Sequence, residues 1–342
     1  MYRMATIVGA LVLVAGTAAA EVPAAGIYVA SNTSFGSTGY DEYLYIHLIK
    51  PTGIEQVYTS KSETGGNFGW SDAKTLWRAE GSSEATTVIK YVDGKVADTV
   101  KISAADWKLP INDDLKFAMP DLLITKKGEV WLEVCTKRKE VELQLGKCLK
   151  ASYLRVDAKP LVQSAKKPAG IDAYRVKKIF QEGAPLKWPK AKAPAGYSVK
   201  LQRVTVDGLG EEQKGRKMQG AVCTGPASAT VTWPGKTDDL DFAMKPKKVT
   251  WLHASPALVS ITGKATNPIG EIEDHEAFLF ECKERVADAE FFGGDLWGVL
   301  RDVPVDEWQK TKAPKTDGSW SIYSGDKLLG TLQGSEIRVA PR

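Results

Sequence analysis

Short runs of alternating residues, each closed by a turn pair, recur along most of this chain, and long helical stripes do not. A side-chain period of two belongs to a strand, because successive side chains leave opposite faces of the pleated backbone. Tyr43-Leu44-Tyr45-Ile46-His47-Leu48 alternates without a break. Runs at 86–92 and 96–102 flank Asp93-Gly94, a pair suited to the left-handed backbone of a tight hairpin. Further runs fall at 129–135, 140–145, 198–206, 229–233, 257–262, 277–282 and 297–301. A last hairpin is expected over 319–332, turning at Ser324-Gly325-Asp326. Helical spacing is confined to 171–182, closed by Gly183 and Pro185, and to 305–312 after Pro304. These signals predict a mainly β fold. The chain has 342 residues, more than one hydrophobic core usually serves, so two β-sandwich-like domains are expected.

The first twenty residues differ from everything after them. Arg3 is their sole charge, 5–20 is apolar or small, and Ala18-Ala19-Ala20 fits the small-x-small rule for signal cleavage. Residues 1–20 are therefore expected to be a signal peptide, cut before Glu21. The strongly apolar part, 7–14, is shorter than the roughly 20 residues that span a bilayer. No later stretch approaches that length, so no transmembrane segment is expected and the chain reads as exported, periplasmic or secreted. Four cysteines follow the leader, and an even count in an oxidising compartment points to disulfides. Of the three possible connectivities, Cys135–Cys148 and Cys223–Cys282 keep each bridge within one expected domain.

Composition shifts in the middle. Residues 158–200 hold five prolines and ten basic side chains against two acidic ones. The stretch 158–196 reads as a basic, proline- and lysine-rich linker between a β domain at 21–157 and another at 197–342. Residues 271–290 carry eight acidic and two basic side chains, so charge is unevenly spread. A heptad repeats across the linker, Asp113-Asp114-Leu115-Lys116-Phe117-Ala118-Met119 and Asp238-Asp239-Leu240-Asp241-Phe242-Ala243-Met244. Trp107 and Trp233 precede the copies, and Val-Asp-Gly turns at 92–94 and 206–208 lie further upstream. The order of these features argues for duplication of a β domain, and each heptad by itself reads as a turn followed by a strand.

The second half resembles an immunoglobulin-like sandwich in one pattern, Cys223, Trp233 and Cys282. The resemblance covers about 197–286. It implies a disulfide crossing between two sheets with an indole packed on it. Trp233 follows Cys223 closely, and Phe280 stands where a corner tyrosine is usual. The resemblance implies no activity.

Chemistry is sparsely signalled. There is no nucleophile elbow, only His47, His253 and His275 are available as bases, and no phosphate-cradling glycine motif occurs, so nucleotide binding is not expected. Glu271, Glu273, Asp274, His275 and Glu276 lack metal-site spacing and read as a solvated acidic turn, so no metal or other cofactor is expected. Asp113, Asp114, Asp238 and Asp239 are the carboxylates that a polysaccharide hydrolase or lyase would use. The stronger signal is aromatic. Phe68 and Trp70 sit in Gly65-Gly66-Asn67-Phe68-Gly69-Trp70, where few neighbours can bury them. Tyr43, Tyr45 and His47 share one face of their strand, opposite Leu44, Ile46 and Leu48. A flat aromatic surface suits glycan or protein ligands, and a second packed layer is the alternative use of such rings. The expected function is therefore non-catalytic binding at the envelope or outside the cell. The basic linker offers an anionic surface a contact, and complementary charge makes self-association in a structural assembly a further reading. Asn32-Thr33-Ser34 is a glycosylation sequon.

Overall fold

The computed structural model describes residues 22–35, 41–62, 66–81, 85–107, 120–138, 148–172, 190–205, 217–225, 229–232, 243–266, 272–273, 277–282, 284–286, 288–291, 296–302, 318–334 and 336–341. The chain is nearly all β, and every strand pairing among these residues is antiparallel.

The strands come in successive meanders. The first is β1 (Ile27–Phe35), β2 (Asp41–Lys50) and β3 (Gly53–Ser62), forming sheet I. Sheet II is β4 (Gly66–Trp70), β5 (Thr75–Gly81), β6 (Ala85–Val92) and β7 (Lys95–Ser103). Sheet III is β8 (Asp121–Ile124), β9 (Val130–Arg138), β10 (Cys148–Arg155) and β11 (Val162–Ser164). Sheet IV is β12 (Ser198–Thr205), β13 (Lys217–Thr224) and β14 (Ala229–Thr232). Sheet V runs through β15 (Ala243–His253), β16 (Leu258–Thr266), β18 (Ala277–Glu281) and β19 (Glu284–Val286), with β17 (Ile272–Glu273) beside β16. Sheet VI is β20 (Asp288–Phe291), β21 (Leu296–Asp302), β22 (Gly318–Ser324) and β23 (Lys327–Gln333). The last strand, β24 (Glu336–Val339), returns to sheet I and pairs with β1, Val29 opposite Val339 and Ser31 opposite Ile337.

Apolar clusters join sheet I to II, II to III, IV to V, V to VI and VI to I. Leu44 and Ile46 of sheet I meet Phe68, Trp70 and Leu76 of sheet II. Trp77, Val88 and Ile102 of sheet II meet Leu122, Leu132 and Leu154 of sheet III. Ala221 and Cys223 of sheet IV meet Val259, Ile261 and Cys282 beside sheet V. Leu258 and Leu279 meet Trp297 and Val299 of sheet VI, and Trp320, Ile322 and Leu332 of sheet VI meet Val29 and Ile49 of sheet I. Successive, mostly four-stranded antiparallel meanders, with the final strand completing the first, resemble the strand plan of a β-propeller.

The sharing of apolar clusters between sheets does not stop at two sheets. Both ends of the chain build sheet I and share one core with sheet VI. The expected linker is also partly structured: it supplies β11, and Ile171 bridges to Thr125 while Asp172 N–H donates to Ile124. The helix expected at 171–182 otherwise lies outside the described residues, as does the one at 305–312. Both disulfides form as expected, Cys135–Cys148 joining β9 to β10 and Cys223–Cys282 joining sheet IV to the end of β18. That second bridge does cross between two sheets. The strand order around it is a simple meander rather than the Greek key of immunoglobulin domains. Trp233 lies outside the described residues, and Trp251 packs against the bridge's cluster.

The tight turns obey local chemistry. Asp93 and Gly94 both take positive φ, 48° and 74°. Gly94 has a second reason to lack a side chain, since a Cβ there would lie 2.6 Å from a Val57 methyl of the neighbouring sheet.

Candidate functional site

Strand β2 is the part of the fold that organises the aromatic and charged groups. It lies inside sheet I, between β1 and β3, and sheet I has a neighbour on each side. Its Glu42, Leu44 and Ile46 therefore face sheet II, while Tyr43, Tyr45, His47 and Ile49 face the sheet VI side.

On the sheet VI side the three rings form a ladder. Tyr43 and Tyr45 stack with centroids 6.3 Å apart and planes inclined by 17°. Tyr45 and His47 follow at 6.2 Å. The ladder runs from the core outward: His47 is 5% exposed, while Tyr45 and Tyr43 are half-buried. Burial pushes the His47 imidazole down to a pKa of about 4, so the ring is neutral at ordinary pH. Its buried Nδ1 has no hydrogen-bond partner among the described residues.

On the sheet II side the expected platform is not at the surface. Trp70 is 0% exposed and Phe68 3%. The glycine-rich setting of these rings is strand β4, not a free loop, and its neighbours come from far away in sequence. Trp70 Nε1 donates to the Arg338 carbonyl at 2.9 Å, and the Arg338 guanidinium lies 5.7 Å from the Phe68 ring centre. Tyr28 covers Trp70 at 6.0 Å. These two rings are core, and the structure brings them together with Tyr43, Tyr45 and His47 only across the thickness of sheet I.

A charged cluster that the sequence analysis did not single out lies above them. Arg78 on β5 is 1% exposed and is held by Glu42 Oε2 at 3.1 Å, Glu80 Oε1 at 2.9 Å and Ser60 Oγ at 3.1 Å. Asn32 Nδ2 donates to the other oxygen of Glu42 at 2.7 Å. This ties up the nitrogen that glycosylation would modify. Burial raises the Glu80 pKa, Arg78 opposes that, and Glu42 reinforces it. The available signal was a polar residue on the apolar face of an alternating run, at Glu42 and Arg78, but such a position does not by itself name its partner.

The other candidates give less. Among the described residues no group of His, Cys, Asp and Glu could hold a metal ion. Asp113, Asp114, Asp238, Asp239 and His275 lie outside them. From the basic stretch, Lys159 makes an exposed ion pair with Asp98 at 3.3 Å, and Lys166, Lys167, Lys190 and Lys192 are exposed. No helix among the described residues is long and apolar enough to cross a membrane. No known protein family matches this chain, and no curated protein is significantly similar to it in sequence.

Proposed function

We propose that this is an exported, non-catalytic binding protein, periplasmic or secreted, that holds a glycan or protein ligand against the Tyr43 and Tyr45 rungs of β2. The observation that carries the reading is the graded ladder itself. A buried neutral imidazole anchors two stacked phenols that emerge toward the surface at one end of sheet I. Stacked, half-buried rings present flat apolar area with a polar hydroxyl at the edge, at little conformational cost. The two disulfides fit an oxidising, exported setting, and a leader at 1–20 cut before Glu21 would deliver the chain there. Trp70 and Phe68 drop out of the ligand surface because nothing but protein reaches them.

The test is a glycan and peptide binding array on the mature protein, repeated with the Tyr43→Ala/Tyr45→Ala double variant. Each aromatic contact is worth about 0.5–1.5 kcal/mol, so loss of both should weaken the ligand roughly tenfold. A double variant that folds and binds as well as the parent would refute the reading. Turnover of a bound glycan would move it to a carboxylate-dependent hydrolase or lyase.

A further inference from the structure

Two carboxylates and one guanidinium are shut between sheets I and II. Arg78 can neutralise one of Glu42 and Glu80, and the surplus negative charge is confined where water has little access. The two carboxylates are not equivalent. Glu42 accepts from Arg78 Nη2 and from Asn32 Nδ2, and its side chain is 7% exposed. Glu80 accepts from Arg78 Nε and from the Ser62 hydroxyl, and at 19% exposed it remains within reach of a solvent proton.

We propose that this cluster is an acid-tightened latch: one proton taken up on Glu80 cancels the surplus buried charge and strengthens the joint between sheets I and II. The joint matters because the closing strand rests on it. Trp70, in the same interface, holds the Arg338 carbonyl of β24, and Phe68 lies under the Arg338 guanidinium.

Among the described residues, the surroundings of Glu80 leave the charge uncancelled. Its own strand offers Arg78, already shared with Glu42 of β2. Strand β3 offers Ser60 and Ser62, β4 offers Gly66 and Phe68, and β6 offers Thr87 opposite Glu80. Lys101 of β7, opposite Thr87, is exposed. From β24, Arg338 and Glu336 pair with each other at 3.2 Å. Burial is the main cause that raises the Glu80 pKa, with Glu42 adding to it and Arg78 and Ser62 opposing. A carboxyl raised in the folded state contributes stability that is complete at low pH and is lost as pH rises through its folded pKa. The latch is thus tight in mild acid and looser at neutral pH.

The experiment follows the melting temperature of the unliganded mature protein from about pH 4 to about pH 8 for the parent, Glu80→Gln and Ser62→Ala. Glutamine mimics the protonated acid, so Glu80→Gln should melt about 2 °C or more above the parent at the upper end and converge with it at the lower. Ser62→Ala removes a donor to the carboxylate. It should melt below the parent at the upper end and close the gap in acid. A Glu80→Gln offset that is the same at every pH, is absent, or is negative near pH 8 would overturn the latch. No ligand is present, so the outcome is independent of whether Tyr43 and Tyr45 bind one.

Discussion

Replacing Trp70 by alanine should unfold a large part of the protein's stability margin, although its sequence neighbourhood looks like an open loop. The side chain has no exposed surface and fills the core between sheets I and II beside Leu44, Ile46 and Leu76. A buried tryptophan cut to alanine costs about 3–5 kcal/mol through lost burial and the cavity left behind. Here it also removes the indole hydrogen bond to the Arg338 carbonyl at 2.9 Å, which adds about 0.5–1.5 kcal/mol. Whole domains hold only about 5–15 kcal/mol, so the variant should sit near the edge of folding. Trp70→Phe separates the two contributions: it keeps most of the apolar volume and loses the N–H, so about 0.5–1.5 kcal/mol is expected from the lost hydrogen bond. Urea denaturation followed by circular dichroism gives both numbers. A Trp70→Ala variant within about 0.5 kcal/mol of the parent is the behaviour of a surface ring, and it would refute the placement of β4.

Acid should weaken the fold through His47. Its pKa falls from 6.5 to about 4 on burial, so the unfolded chain takes up a proton that the folded one refuses. Stability present above pH 6.5 should decline as pH falls toward 4, by up to roughly 3 kcal/mol, and His47→Gln should remove most of that decline. A parent and variant with parallel pH profiles would contradict the burial of the ring. Alkylation without reduction should label no cysteine, since all four are paired. The bridge closing 59 residues should contribute about 4 kcal/mol and the one closing 13 about 3, in the chain-entropy account. Denaturation of Cys223→Ala/Cys282→Ala beside Cys135→Ala/Cys148→Ala checks the order.

Local chemistry was readable in the sequence, and long-range pairing was not. The alternation at 43–48 is a strand, and Asp93-Gly94 is the left-handed turn its residues require. The cysteine pairing followed from keeping each bridge within one expected domain. The burial of one face of β2 did not decide the fate of the other. Leu44 and Ile46 are core, but His47 on the opposite face is not thereby at the surface, because sheet I is packed on both sides. Trp70 was misplaced for the same reason: its covering groups, Tyr28 and Arg338, are remote in sequence. The break at 158–196 reflects composition, and composition carries no record of β24 returning to β1. The two Asp-Asp heptads acquire a simpler meaning. One ends just before β8 and the other runs into β15, so each leads into the first strand of a sheet, III or V.

The most direct test of the account is whether the two ends of the chain lie side by side in sheet I. Val29 and Val339 face each other across the β1–β24 ladder. Directly opposed residues of an antiparallel pair have Cα atoms about 4.5–5.5 Å apart, within the range a disulfide spans. The Val29→Cys/Val339→Cys variant should therefore form a third, intramolecular bridge, seen in unreduced peptide maps as a cross-linked pair from the two termini of a monomer. Two freely alkylated thiols at these positions in a folded, monomeric protein would mean that the sheet is not closed by its last strand.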